Sequence, residues 1–391
     1  MRRFLLPGLL SLLLFAGGPL STVQAKGDPL TKAADKQKAK IAKVYLDLAR
    51  YLVGRDLKQE AREALAEAES LAPEGKLPAN LVASIEGLAG KGVMDGSTES
   101  RIAKAKRDAA KGYEKLAGVF AKEDDDPRFA RYLLRAIELD SSKKRLAKLG
   151  DAAKKRSLLV QSPTHAMAAY VSFPKSWKPG GDWPVFVCVD GAGAGFKGCA
   201  KRFTSQRGKR PFIVISPHAM SCTNAIDPKK FPAYDQATID EWNGKRTAFD
   251  VPGLLALLDF LHEHFGAEKK IAITGFSGGG NLCYGFLLKH PDRVFCAAPA
   301  CANFQPGLAN GAANPEDGGP PIHIMTGAKD PHREFTHGNE NSPGIEPQTD
   351  WAEKALSENG FDKVKRTMLD GVGHSALPRE VWAYVDEVRE D

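Results

Sequence analysis

The chain has 391 residues, 42% of them hydrophobic, and 55 Lys and Arg against 48 Asp and Glu. That length can bury full cores in two domains, which excludes the class of small chains held together by disulfides, and six cysteines are few for such a framework. The net charge of +7 matters less than where it lies.

Residues 1–25 read as an address. Arg2-Arg3 gives a positive start, Phe4 to Phe15 an apolar run, and Val23-Gln24-Ala25 small residues at the cleavage positions. This predicts a secretory signal peptide cut before Lys26, leaving a secreted or periplasmic protein. The run is too short to span a bilayer and is interrupted by Pro7, Gly8, Gly17, Gly18 and Pro19.

Residues 26–150 are rich in Ala, Lys, Glu and Leu at helical spacing, which predicts a smaller all-α region of helical hairpins. Tyr45, Leu48, Ala49, Leu65, Ala68 and Leu71 recur 68 residues later as Tyr113, Leu116, Ala117, Leu133, Ala136 and Leu139. The shift is about twice the roughly 34-residue period of tetratricopeptide helix pairs, and the Tyr-x-x-Leu-Ala pattern resembles that family. An ordinary helical bundle with heptad-like spacing is the alternative, and the middle unit, near 79–112, matches poorly and holds Gly90, Gly92 and Gly96. This region carries 26 basic and 20 acidic side chains, against 27 and 28 in residues 151–391. The basic excess therefore sits away from any active site. Its Lys-rich stretches, Lys32–Lys43 and Lys143–Lys148, lack the aromatic interleaving of a nucleic-acid platform. They read as solvated helix faces, with a protein or the anionic cell envelope as the partner they would meet. Asp124-Asp125-Asp126 reads as an interhelix turn rather than a metal site.

A short charged linker is expected at Gly150–Arg156, followed by an α/β domain over 151–391. Strands are predicted near 157–161, 166–172, 185–189, 212–216, 271–274, 294–299, 322–326 and 364–369, with helices over 251–265, 278–290, 348–359 and 378–389. That alternation implies a mostly parallel sheet with helices on both faces and a site at its carboxyl edge. The segment Cys301–Pro321, rich in Gly, Asn and Pro, is long for a connection and is expected to shape that site. All six cysteines lie in this domain, where Cys199 and Cys222 are the pair a disulfide would join and Cys188, Cys283 and Cys296 read as core thiols. No C-x-x-C occurs, and His262-Glu263-His264 at a helix end puts its two histidines on different faces, so no metal is expected.

The chemistry is carried by Thr274-Gly275-Phe276-Ser277-Gly278-Gly279, a G-x-S-x-G that follows the apolar strand Ile271–Ile273 and precedes a helical pattern. A serine on so sharp a strand-to-helix turn is lifted clear of the sheet, and the residues two before and two after it nearly collide, so Gly275 and Gly279 are required to be small. A base and an orienting acid should follow in the order Asp, His. Asp330 lies past the run Ile322–Met325 and His374 past Val364–Leu369, both at strand ends. Ser277, His374 and Asp330 are thus the expected nucleophile, base and acid. Asp317, Asp350 and Asp370 are weaker acids by position, and His332 and His337 are candidates to line the pocket. For the oxyanion hole, the N–H of Gly278 and that of Ala192, in Asp190-Gly191-Ala192-Gly193-Ala194-Gly195, are the expected donors. A nucleotide-cradling reading of this loop fails, because residue 196 is Phe and no Walker lysine follows.

These residues resemble the α/β-hydrolase superfamily over roughly residues 157–391, and look closest to secreted esterases of the polyhydroxybutyrate-depolymerase and feruloyl-esterase kind. The resemblance implies an exported serine esterase that works through an acyl-enzyme, without cofactor, on aromatic, polyester or polysaccharide-linked esters. A serine peptidase of the same fold and an inactive binding or scaffold protein are the alternatives. In one respect the chain departs from the pattern: such enzymes often have His-Gly where Asp190-Gly191 stands. An ionised carboxylate there opposes the developing oxyanion unless it points away or is paired.

Overall fold

A computed structural model describes residues 29–72, 77–121, 127–162, 164–335 and 343–390. The predicted signal peptide, Asp124–Asp126 and His337 lie outside the described residues. The chain divides into two compact units, one within Thr22–Leu149 and one over Gly150–Asp391.

The first unit contains α1 (Pro29–Val53), α2 (Lys58–Leu71), α3 (Ala79–Glu86), α4 (Gly96–Val119) and α5 (Pro127–Leu139). α1 packs on α2 and α4, and α4 on α5. Small residues permit these close crossings: Ala49, Ala61, Ala109, Ala110 and Ala117 are fully buried, and a Cβ on Gly112 would stand 2.5 Å from Ile41 Cγ1. The 68-residue repeat therefore corresponds to two helix pairs, α1–α2 and α4–α5, with Tyr45 and Tyr113 buried at matching places. The segment between the pairs is not a third one. After α3 it runs as non-helical chain, and Gly90, Lys91 and Gly92 donate their N–H groups to Asp56, whose own φ is 54°.

Helix α6 (Lys143–Lys155) runs through the stretch expected to be a linker. Leu149 and Ala153, four apart, are both buried, which is the spacing of one helix face. From Gly150 on it belongs to the second unit: a Cβ on Gly150 would stand 2.0 Å from Trp177 Cζ3, and Ala153 O accepts the N–H of Phe173 at 3.0 Å.

The second unit is built on a nine-stranded sheet of β1 (Leu158–Gln161), β2 (Ala168–Ser172), β3 (Trp183–Val189), β4 (Ile213–Pro217), β5 (Ala267–Ser277), β6 (Val294–Ala297), β7 (Ala300–Ala302), β8 (Ile322–Gly327) and β9 (Val364–Leu369). β1 and β2 are antiparallel, as are β2 and β4, and the remaining pairs are parallel. β6 and β7 share one lane, since both pair with β5 and with β8. The sequence predicts one strand over 294–299; Pro299, which has no N–H to give a ladder, divides it.

Being buried on both faces, the central strands are continuous apolar runs. On one face Phe186, Cys188, Val214, Ala272 and Met325 pack with Phe203 of α7 (Phe196–Gln206) and with Val381 and Trp382 of α12 (Pro378–Glu390). A short helix α8 (Gln236–Trp242) precedes α9 (Arg246–Phe265). α9 and α10 (Gly280–Lys289) pack on β5 and on each other, against the alternate residues, and α11 (Ile345–Glu358) packs on β7 and β8. α9 begins five residues before its expected start at 251, carrying Pro252 inside it, because Phe249 and Asp250 are buried and held. Neither α7 nor α8 is predicted by the apolar periodicity. All six cysteines are buried free thiols, so Cys199 and Cys222 are not joined. Cys199 is committed to the α7 core, its Sγ 3.7 Å from Cys188 O, while Cys222 ends a turn after β4.

Candidate active site

Ser277 ends β5 with φ 50°, the left-handed region that a side chain rarely adopts. The crowding that the elbow demands is present. A Cβ on Gly275 would stand 2.4 Å from Gly279 O, and one on Gly279 would stand 2.4 Å from Val189 O. Ser277 O accepts the N–H of Asn303 at 2.8 Å, so the strained residue is pinned from the neighbouring strand.

β8 ends at Gly327 and β9 at Leu369, and the loops after them bring Asp330 and His374 to the same carboxyl edge. His374 Nδ1 lies 2.8 Å from Asp330 Oδ2, and Asp330 Oδ1 accepts the backbone N–H of His332 at 2.8 Å. The carboxylate side chain is 1% exposed and the imidazole 19%, which leaves the ring's other edge reachable. The ring of Phe276, one residue before the serine, packs on the imidazole at 4.6 Å between centroids, and His332 meets it edge-on at 4.9 Å. Asp350 is instead paired with Arg366, Asp317 lies in a tight turn at φ 55°, and Asp370 is exposed. His262, at the end of α9, binds Ala267 O through Nδ1 at 2.7 Å.

The loop after β3 approaches the serine closely. A Cβ on Gly191 would stand 2.9 Å from Ser277 Cβ, and Ala192 next to it is exposed. Asp190 is buried and its Oδ2 accepts the N–H of Gly195 at 2.7 Å, at the start of α7. The carboxylate is therefore paired with a helix N-terminus, where a negative charge is stabilised.

Cys301 stands at the head of the segment expected to shape the site. It is buried with φ 42°, and its Sγ lies within 4.8 Å of the ligand atoms of both Asp330 and His374. Burial first, with Asp330 adding to it, pushes its thiol up to about 11, so it is neutral and no rival nucleophile. This trio has metal-like proximity, but the Asp330–His374 hydrogen bond already uses the carboxylate and ring atoms an ion would take.

The turn after β4, His218–Cys222, lies directly behind the elbow, where a Cβ on Gly278 would stand 1.8 Å from Cys222 O. His218 at its head is fully buried against Phe196, neither ring nitrogen has a hydrogen-bond partner among the described residues, and burial pushes its pKa down to about 3. Above its ordinary value of 6.5 the ring is neutral in folded and unfolded chains alike. Below it only the unfolded chain gains the proton, so stability falls as pH drops from 6.5 towards 3. Asp250 acts oppositely: its pKa, raised by burial from 3.8 to about 6, lets the folded chain gain a proton first across that window. The His218 contribution is isolated by subtraction. The stability of the wild type minus that of His218→Leu, measured by urea unfolding, should fall by about 1.4 kcal/mol per pH unit below the ordinary histidine pKa. A difference that does not change with pH contradicts a buried neutral His218.

The sheet order, the crossovers and the serine at the tip of β5 define an α/β-hydrolase. Residues 161–358 match the family model described as "Putative esterase", and the chain belongs to that esterase family. Among solved structures it is similar to a thermostable esterase (16% identity, TM-score 0.40), covering 60% of this chain and 62% of that one. It is similar also to the poly(3-hydroxybutyrate) depolymerase LpqC from Bordetella parapertussis (14% identity, 56% and 86% covered, TM-score 0.40). A third is poly(aspartic acid) hydrolase-1 from Sphingomonas sp. KT-1 (15% identity, 60% and 99% covered, TM-score 0.43). No curated protein matches the chain.

Proposed function

We propose that this chain is an exported serine hydrolase that cleaves carboxylic esters through an acyl-enzyme. The observation that carries the reading is the strained Ser277 on the same sheet edge as the His374–Asp330 hydrogen bond of 2.8 Å. Ser277 Oγ bonds to the ester carbon while His374 Nε2 takes its proton. The carbonyl oxygen becomes negative and is met by the N–H groups of Gly278 and Ala192. Collapse breaks the bond to the leaving alcohol, which departs with the proton from His374. Water then repeats the sequence, freeing the acid and restoring Ser277. Asp330 keeps the imidazole in the tautomer that has its acceptor nitrogen towards the serine and stabilises the cation formed in each half.

Membership of an esterase family supports an ester over an amide. Export rests on the pattern of residues 1–25, and the basic excess of 26 to 20 in the helical unit supports attachment to a protein or to the anionic cell envelope. Purified protein lacking residues 1–25, assayed on nitrophenyl butyrate and on the matched butyryl nitroanilide, tests the chemistry. The ester should be turned over faster by roughly 100-fold or more in kcat/KM. An equal or greater rate on the amide contradicts the assignment and makes the chain a peptidase.

A further inference from the structure

Asp250 lies in α9, outside the proposed triad, with no exposed surface. Its Oδ1 accepts the N–H of Met220 at 2.9 Å and its Oδ2 the N–H of Ser221 at 2.7 Å. From the other side, Asn281 of α10 donates its side-chain Nδ2 to Ser221 O at 2.9 Å. Tyr234 Oη, in the loop before α8, donates to His218 O at 2.6 Å, so the His218–Cys222 turn is tied to two helices and a loop. At its head the His218 N–H is also given to Ala168 O at 2.8 Å, but towards Cys222 the turn's own hydrogen bond, Cys222 N to Ala219 O, is 3.4 Å long.

Two adjacent N–H donors facing one side chain need two acceptor oxygens, and a carboxylate supplies both where an amide supplies one. Burying that carboxylate is expensive, as its raised pKa reflects; the hydrogen bonds from Ser221 and Met220 offset part of the cost, and the charge of Arg246 adds a smaller share. A helix of the apolar composition of α9 gains nothing from such a group for packing alone. What the turn touches explains it. Cys222 O occupies the place where a side chain on residue 278 would be, 1.8 Å from an ideal Cβ, so the turn bears on the Cα of Gly278.

We propose that Asp250 and Asn281 are positioning residues that clamp the His218–Cys222 turn against Gly278 and so hold the Gly278 N–H in line with the developing oxyanion. This rests on the ester-hydrolase reading, in which that N–H stabilises the transition state. A donor whose direction drifts stabilises the oxyanion less and leaves substrate binding nearly unchanged, so the loss falls on kcat.

The test uses the full mature chain and three variants, Asp250→Asn, Asn281→Ala and the double variant, with kcat and KM on nitrophenyl butyrate and thermal unfolding of each. Expected is a fall in kcat of roughly 10- to 100-fold in each single variant with KM within about 3-fold, and a double variant well short of the product of the two losses. If Asp250→Asn does not fold, Asn281→Ala decides alone. A kcat within about 2-fold of wild type, even with a lower melting temperature, or a loss carried by KM, overturns the positioning role. Ser277→Ala run alongside separates the failures: turnover that survives it sinks the hydrolase reading itself.

Discussion

Ser277→Ala should lower turnover of a nitrophenyl ester by roughly 10⁵-fold while leaving the protein folded. The size follows from the role proposed for the hydroxyl: it would form the acyl bond, and no neighbouring group is placed to replace it. Cys301, the nearest soft nucleophile to the base, is buried and held neutral by its surroundings. Residual catalysis would come from the oxyanion donors acting on bound ester and water. The fold should survive, because the strain at φ 50° is a property of the turn and alanine brings no more bulk at Cβ than serine. Steady-state assays across enzyme preparations of matched melting temperature check this. Activity within about 10-fold of wild type would remove Ser277 from the mechanism.

The second large effect is expected at Asp330. In Asp330→Asn the turnover number should fall by about 10⁴-fold with little change in KM. Asp330 uses its two oxygens separately, Oδ1 for the His332 N–H and Oδ2 for the imidazole. An asparagine can keep the first bond only by turning its NH₂ towards Nδ1 of His374. The ring must then accept at Nδ1 and carry its proton on Nε2, where the serine needs an acceptor. Charge is lost as well, so the imidazolium formed during acylation goes unsupported. Asp370→Asn, on an exposed residue four positions from His374, should leave the rate unchanged and controls for general loss of negative charge. An Asp330→Asn enzyme within about 10-fold of wild type would mean that His374 is oriented by something else.

How much of this was legible in the chain depended on the range of the physics. The elbow's glycines answer to a steric conflict among neighbours in sequence, so Gly275 and Gly279 identify themselves by spacing, and the collision with Gly279 O and Val189 O is where the spacing places it. Asp330 and His374 stand at ends of apolar runs, and strand ends at one sheet edge are brought together by topology without further information. Pro299 is a local signal too, and it divides a strand that reads as continuous if only hydrophobicity is counted. The linker became the last turns of α6 because Leu149 and Ala153 outweigh the surrounding charges, a matter of two residues in a polar stretch. The contacts of Asp250, Asn281 and Cys301 were not legible because their partners lie 29, 60 and 72 residues away. An acid between Phe249 and Val251 on an apolar helix was the one clue that a buried carboxylate was being held for a purpose. Asp190 shows the converse: its composition raised an electrostatic objection that the Gly195 N–H removes.

The central claim is that Ser277 forms a covalent bond to its substrate's acyl group, and a fluorophosphonate that mimics that step tests it most directly. The folded mature protein would be treated with the reagent, digested, and its adduct located by peptide mass spectrometry. One adduct, on the peptide that contains Ser277, absent from Ser277→Ala and slowed by competing ester, is the predicted result. Absence of labelling in folded wild-type protein, or labelling that persists elsewhere in Ser277→Ala with ester hydrolysis intact, would contradict it.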